Sequence, residues 1–199
     1  MSSTGEITEL SQTPAVVEII STRPQKLIEI VEPDPTWPES FANIARRITD
    51  ALGNRFLSIE HVGSTSVPGL PAKAVIDVDI VVADPTAEDS YVPALEAAGF
   101  QFLLREPGWY EHRLFGFNNP YANIHIFGPN SAEHIRHRLF RDWLRNHEDD
   151  RRRYADVKRQ AATASRLAGE TVMEYNARKE FVILDILQKA FKEHGHVNE

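Results

Sequence analysis

The segment from Ala74 to Val82 constrains the fold most. It is dense in Val and Ile, which predicts a strand buried in a sheet. Side chains alternate along a strand. Ile76, Val78, Ile80 and Val82 therefore face the core, while Asp77 and Asp79 stand side by side on the other face. Two carboxylates on an otherwise apolar strand repel each other and lose hydration. Such a pair is held either by a cation, for which oxygen ligands suit Mg²⁺ or Mn²⁺, or by nearby Arg, Lys or backbone donors.

Around this strand the pattern mixes strands and helices. Leu27–Val31 reads as a first strand ended by Pro33 and Pro35. Trp37, Phe41, Ile44, Ile48 and Leu52 recur at helical spacing, with Thr36 and Glu39 at capping-box spacing and Gly53 as the stop. Strands are predicted at 56–62, 100–105, 111–117 and 122–127, with a short helix at 90–98. From Ser131 onward the pattern is helical, with Asn130 and Glu133 as cap candidates and a last helix from about Glu170 to Lys192. Residues 1–25 are rich in Ser, Thr, Glu and Pro and read as a mobile leader. Residues 26–194 read as one domain, with a sheet core at 26–128 and a helical part at 131–194.

The turn after strand 56–62 is His61-Val62-Gly63-Ser64-Thr65-Ser66-Val67-Pro68-Gly69-Leu70. Gly63 allows a ligand to approach the main chain, and Ser64, Thr65 and Ser66 add hydroxyls. The loop is thus either a phosphate cradle or an ordinary tight turn. In Asn123-Ile124-His125-Ile126-Phe127, the two isoleucines face the core and leave His125 on the other side, within reach of the Asp77 strand if the two are neighbours. Of His112 and Arg113 on the preceding strand, only one shares that face. Lys158 and Lys179 reach a phosphate if their helices pack on the open edge of the sheet; otherwise they are solvated.

The order strand, Gly-Ser turn, Asp-x-Asp strand, later strand with a polar residue is similar to that of the nucleotidyltransferase superfamily. More narrowly, Ile59 to Leu70, Ala72-Lys73, Ile76-Asp77-Val78-Asp79, Asn123-Ile124-His125-Ile126 and Phe140 to Arg145 resemble the GrpB-type family, as do Tyr154 with Lys158 and Tyr175 with Lys179 and Phe181. The resemblance covers roughly residues 27–190. It implies an α/β (α+β) nucleotidyltransferase-like fold, a mixed β-sheet flanked by helices with a helical C-terminal third. It also implies Gly63, Ser64, Ser66, Lys73, Lys158 and Lys179 as phosphate-binding residues. Asp77, Asp79 and His125 would serve as catalytic and metal residues around a divalent cation, Mg or Mn. His125 stands where active members of the superfamily carry a third carboxylate, and imidazole suits Mn²⁺ or Zn²⁺ better than Mg²⁺. The chain is similar as well to the extra domain fused to some bacterial dephospho-CoA kinases, but it holds no Gly-x-x-x-x-Gly-Lys-Ser/Thr kinase loop.

The expected partners are a nucleotide and a small-molecule acceptor. A formal net charge of −7 argues against general nucleic-acid binding. No cysteine is present, so disulfides and thiolate metal sites are excluded. No membrane span or signal peptide is apparent, so a cytoplasmic protein is expected. Three functions remain open: nucleotidyl transfer from a nucleoside triphosphate to a small acceptor, a non-catalytic nucleotide-binding or protein-interaction module, and a metal-dependent phosphate hydrolase.

Overall fold

The computed structural model describes residues 16–194; the first 15 residues of the predicted leader lie outside them. Six strands form one mixed sheet: β1 (Glu18–Ile19), β2 (Ser58–Val62), β3 (Ile76–Val81), β4 (Gln101–Glu106), β5 (His112–Asn118) and β6 (Tyr121–Phe127). Their order across the sheet is β1-β4-β5-β6-β3-β2. Only β3 and β6 run parallel; the other neighbours are antiparallel. Among the described residues five α-helices complete the fold: α1 (Trp37–Leu52), α2 (Val92–Ala97), α3 (Ala132–Asn146), α4 (Glu148–Ala168) and α5 (Val172–Glu193).

The alternation predicted for residues 74–82 is what divides the molecule. Ile76, Val78 and Ile80 join Ala122, Ile124, Ile126 and Phe115 in a core closed by Ile44, Ile48 and Leu52 of α1 and Leu95 of α2. The opposite face carries Asp77, Asp79 and His125 and lies under the C-terminal helices. Those helices pack on each other through Leu139, Trp143, Tyr154, Val182, Ile186 and Phe191, and they take Val67 and Leu70 of the Gly-Ser turn into the same cluster. No helix among the described residues is long and apolar enough to cross a membrane.

Local chemistry departs from the sequence reading in three places. Leu27–Val31 forms no strand: Val31 makes one isolated bridge with Ala72, and Ile28 is drawn into a small cluster with Ala161, Ala162 and Tyr175. The strand on that side of the chain is instead β1, within the predicted leader, paired with Leu104 and Arg105. At α1, Thr36 does not cap, because its N–H and hydroxyl both donate to Asp34 Oδ1, at 2.8 and 2.7 Å. Helix α3 starts after Ser131, with no side-chain cap, since Glu133 is engaged by Arg136 and His137. A true capping box occurs at α5, where Thr171 and Glu174 each accept from the other's backbone N–H.

Candidate functional site

Strands β2 and β3 form a hairpin whose turn begins at Gly63. Val62 lies opposite Asp77 in the register, so Gly63 comes directly against that carboxylate. Gly63 has φ +66°, and a Cβ there would sit 2.4 Å from Asp77 Oδ2. Both the backbone angle and the close approach require glycine. The turn continues as one 3₁₀ winding, Ser64–Ser66. It is held from beneath: Ser66 Oγ donates to Gly63 O at 2.6 Å, Thr65 Oγ1 donates to Val75 O at 3.0 Å, and Arg145 Nη2 donates to Ser66 O at 2.8 Å. Ser66 thus builds the turn, while Gly63 and Ser64 line a cavity of about 360 Å³.

Asp77 opens on this cavity. Its Oδ1 accepts from Asn123 Nδ2 at 2.8 Å and lies 4.0 Å from His125 Nε2, both on the parallel neighbour β6. Burial alone would raise the Asp77 carboxyl, but His125, Asn123 and the Lys73 ammonium hold it below the ordinary carboxylate range. Asn123 is itself oriented from outside the site. Arg23 Nη2 donates to Asn123 Oδ1 at 2.6 Å, its Nη1 donates to Phe117 O at 2.9 Å, and its guanidinium lies 4.0 Å over the Tyr121 ring. Gly116 leaves room for it, since a Cβ at 116 would lie 2.7 Å from the guanidinium.

Asp79, predicted to share a cation with Asp77, is engaged by two histidines of α3. It is fully buried, and Nδ1 of His134 and Nδ1 of His137, both on α3, lie 2.9 and 3.0 Å from its Oδ2. A carboxylate only accepts, so both ring nitrogens donate. His137 Nε2 lies 3.4 Å from Glu133 Oε1. Burial would lower the His137 pKa, but the two carboxylates hold it well above the ordinary imidazole value. Glu133 is correspondingly brought down to about 2, against the effect of burial. Asp79 therefore has an imidazolium as its counter-charge. Among the described residues no group of three or more His, Cys, Asp or Glu side chains is arranged to hold a metal by itself.

His125 is set by a relay. Glu106 Oε2 accepts from His112 Nδ1 at 2.6 Å, and His112 Nε2 lies 3.0 Å from His125 Nδ1. Burial pushes His112 down to about 4 despite Glu106, so near neutral pH it carries one proton, on Nδ1. Its Nε2 then accepts from His125 Nδ1–H, which fixes the imidazole of His125 with its Nε2 toward Asp77 and the cavity. The signal for His112 in the sequence was the hairpin register. It shares the face of Leu114, which lies opposite His125, while Arg113 turns to the other face and binds Glu88.

Three lysines converge on the same cavity. Lys158, on α4, is buried and donates to Pro71 O at 2.6 Å. Lys73 and Lys179 flank one aromatic ring, their amines 5.3 and 4.8 Å from the Tyr175 centroid. Among the described residues no carboxylate is in ion-pair contact with these amines, and Asp77 is the one acid lining the cavity. Burial, and then the charge of Lys73, push Lys179 down to about 8. Burial, with the charges of Lys179 and Lys73, holds Lys158 well below the ordinary amine value. Three amines lowered chiefly by burial, with no acid but Asp77 on the cavity, form an electrostatic field for an anion. The helical Lys158 and Lys179, which solvation would equally explain from sequence, are brought in by the packing of α4 and α5 on α3 and on Val67 and Leu70 of the Gly-Ser turn.

Residues 27–189 match the GrpB protein family. The chain is 44% identical over 163 residues to a UPF0157 protein of Halalkalibacterium halodurans, covering 82% of each chain. It is 32% identical over 190 residues to a dephospho-CoA kinase of Mycolicibacterium paratuberculosis, covering 82% of this chain and 46% of that one, so it spans about half of that relative's length. The crystal structure of conserved protein GrpB from Enterococcus faecalis superposes with a TM-score of 0.74 at 29% identity, covering 84% of this chain and 99% of that one. On these grounds the chain belongs to the GrpB family.

Proposed function

We propose that the cavity binds the phosphates of a nucleotide, and that the chain is a nucleotidyltransferase-like protein acting between a nucleoside triphosphate and a small acceptor. The observation that carries this reading is the convergence of Lys73, Lys158 and Lys179 with the Gly63–Ser64 turn on one cavity. The turn's internal bonds use the N–H groups of Ser66 and Val67, leaving those of Ser64 and Thr65 outside them. Backbone N–H groups with ammoniums are a common phosphate-binding combination. The placement in the nucleotidyltransferase superfamily is supported by the hairpin that presents Asp-x-Asp beside a parallel strand bearing His125. The likeness to half of a dephospho-CoA kinase agrees with a nucleotide-related setting.

In this reading an acceptor hydroxyl attacks the α-phosphorus. The new O–P bond forms as the bond from the α-phosphorus to the bridging oxygen breaks, and pyrophosphate leaves with its charge met by the lysines. The hydroxyl proton passes to His125 Nε2. The two histidines against Asp79 favour a reading with one cation over one with two. Asp77 fits one Mg²⁺ or Mn²⁺ carried in by the phosphates, since such ions accept one carboxylate with phosphate and water, and the ion would neutralise charge on the phosphoryl oxygens.

The burial of Asp79 favours a second reading, nucleotide binding without transfer. Isothermal titration with ATP, GTP, CTP and UTP, each with Mg²⁺ and Mn²⁺, separates these when paired with a pyrophosphate-release assay over a panel of small alcohols. Binding that weakens in Lys158→Met and Lys179→Met, with release that stops in His125→Gln, supports transfer. Binding with no release supports the second reading. A folded protein that binds none of the four sinks both.

A further inference from the structure

A second chamber of about 560 Å³ adjoins the lysine cavity, and Ser64, His137, Tyr154 and Lys179 line both. It runs between α3 and α5, and its lining follows helical spacing on each: 133, 136, 137, 140 on one and 173, 176, 177, 180, 183, 184, 187 on the other. Phe140, Met173, Ala177, Ile183, Leu184 and Leu187 give it an apolar wall, while Glu133, Arg136 and Glu180 stand along the rest of its lining. Part of this surface is not needed to close the core. Met173 is 76% exposed, and neither Met173 nor Leu184 belongs to a hydrophobic cluster of the protein. A chamber with one apolar wall that opens on a cationic cavity is shaped for a molecule with an anionic head and an apolar arm.

We infer that this chamber holds the apolar arm of the small molecule whose phosphate occupies the lysine cavity: a phosphate or diphosphate ester bearing an aliphatic chain. The inference rests on the phosphate reading of the first cavity and adds a substrate class to it. The shared walls place the head at Lys179 and lead the chain past Tyr154 and Phe140 toward Leu187. Each methylene taken from water is worth up to about fourfold in affinity.

The test is isothermal titration of the full chain with inorganic pyrophosphate, a five-carbon prenyl diphosphate and a ten-carbon prenyl diphosphate. The expected result is affinity rising at least about tenfold from the first probe to the last. That gain disappears in Leu184→Asp, which still binds pyrophosphate as the parent does. Because Leu184 is partly buried, Ala177→Trp at an exposed position of the same wall serves as a second variant; it fills the chamber and removes the same gain. Equal affinities along the series, with pyrophosphate still bound, overturn this inference and leave the phosphate reading standing. A gain that survives both variants also overturns it. No binding of pyrophosphate by the folded protein overturns the phosphate reading and this inference with it.

Discussion

Lys179 sits among like charges with no carboxylate against it, so its protonated form is costly in the empty protein and useful to an anion. Its pKa is near 8 in the fold against an ordinary 10.5. Between those values the unfolded chain holds more protons than the native one, so this residue's contribution to stability rises with pH. Lys179→Met is expected to melt no lower than the parent at pH 7 while binding pyrophosphate at least about tenfold more weakly, a loss of about 1.4 kcal/mol. In the parent, pyrophosphate affinity should fall as pH rises through about 8, read by titration calorimetry. The Asp79–His137–Glu133 triad works in the opposite sense. The raised imidazole stabilises most below its ordinary 6.5 and loses that effect as pH rises through its folded value. Glu133 stabilises above its ordinary 4.5 and loses that effect as pH falls toward about 2. The triad is therefore strongest between 4.5 and 6.5. Asp79→Asn, which removes one of the two carboxylates that hold the half-buried His137 imidazolium and leaves Glu133, should lower the melting temperature and flatten the pH dependence of melting, read by thermal melts from about pH 4 to 8.

At the scale of elements, Gly63 is where a turn becomes a binding edge. Gly63→Ala adds a Cβ at a positive φ and against the Asp77 carboxylate, so the hairpin tip must shift. The expected outcome is a loss of about 1–2 kcal/mol in denaturant melts together with weakened pyrophosphate binding. By contrast, Thr171→Ala removes only the cap of α5 and should cost about 1 kcal/mol. Alternation along β3 could be read from the sequence because one strand decides it, and so could the Gly-Ser turn, because its glycine follows a strand directly. The different fates of Asp77 and Asp79 could not. They depend on where α3 crosses the sheet, although the spacing of His134 and His137, three residues apart, put both rings on one helix face. Asp34 takes up the hydroxyl of Thr36 in a local Asx turn that competes with the box pattern, and α1 is left without a side-chain cap. The strand expected at 27–31 failed because alternation does not say whether a partner strand is free to pair.

At the scale of the whole molecule, one sheet separates a dry face, packed on α1 and α2, from a polar face roofed by three helices that deliver lysines. An anion between roof and sheet should bind the native state alone. At a pyrophosphate concentration of about 100 times its Kd the gain is about 2.7 kcal/mol, visible as a rise in melting temperature that Lys158→Met and Lys179→Met reduce. The guanidinium of Arg23 bears on a different question. The family match starts at residue 27, yet Arg23 fixes the amide that in turn fixes Asp77. An expression boundary drawn at the start of the match would therefore keep β2 to β6 and the helices from α1 to α5 but release the Asn123 amide to flip. A truncated chain of this kind would be a well-behaved protein in the test tube and a misleading one in any assay of the site.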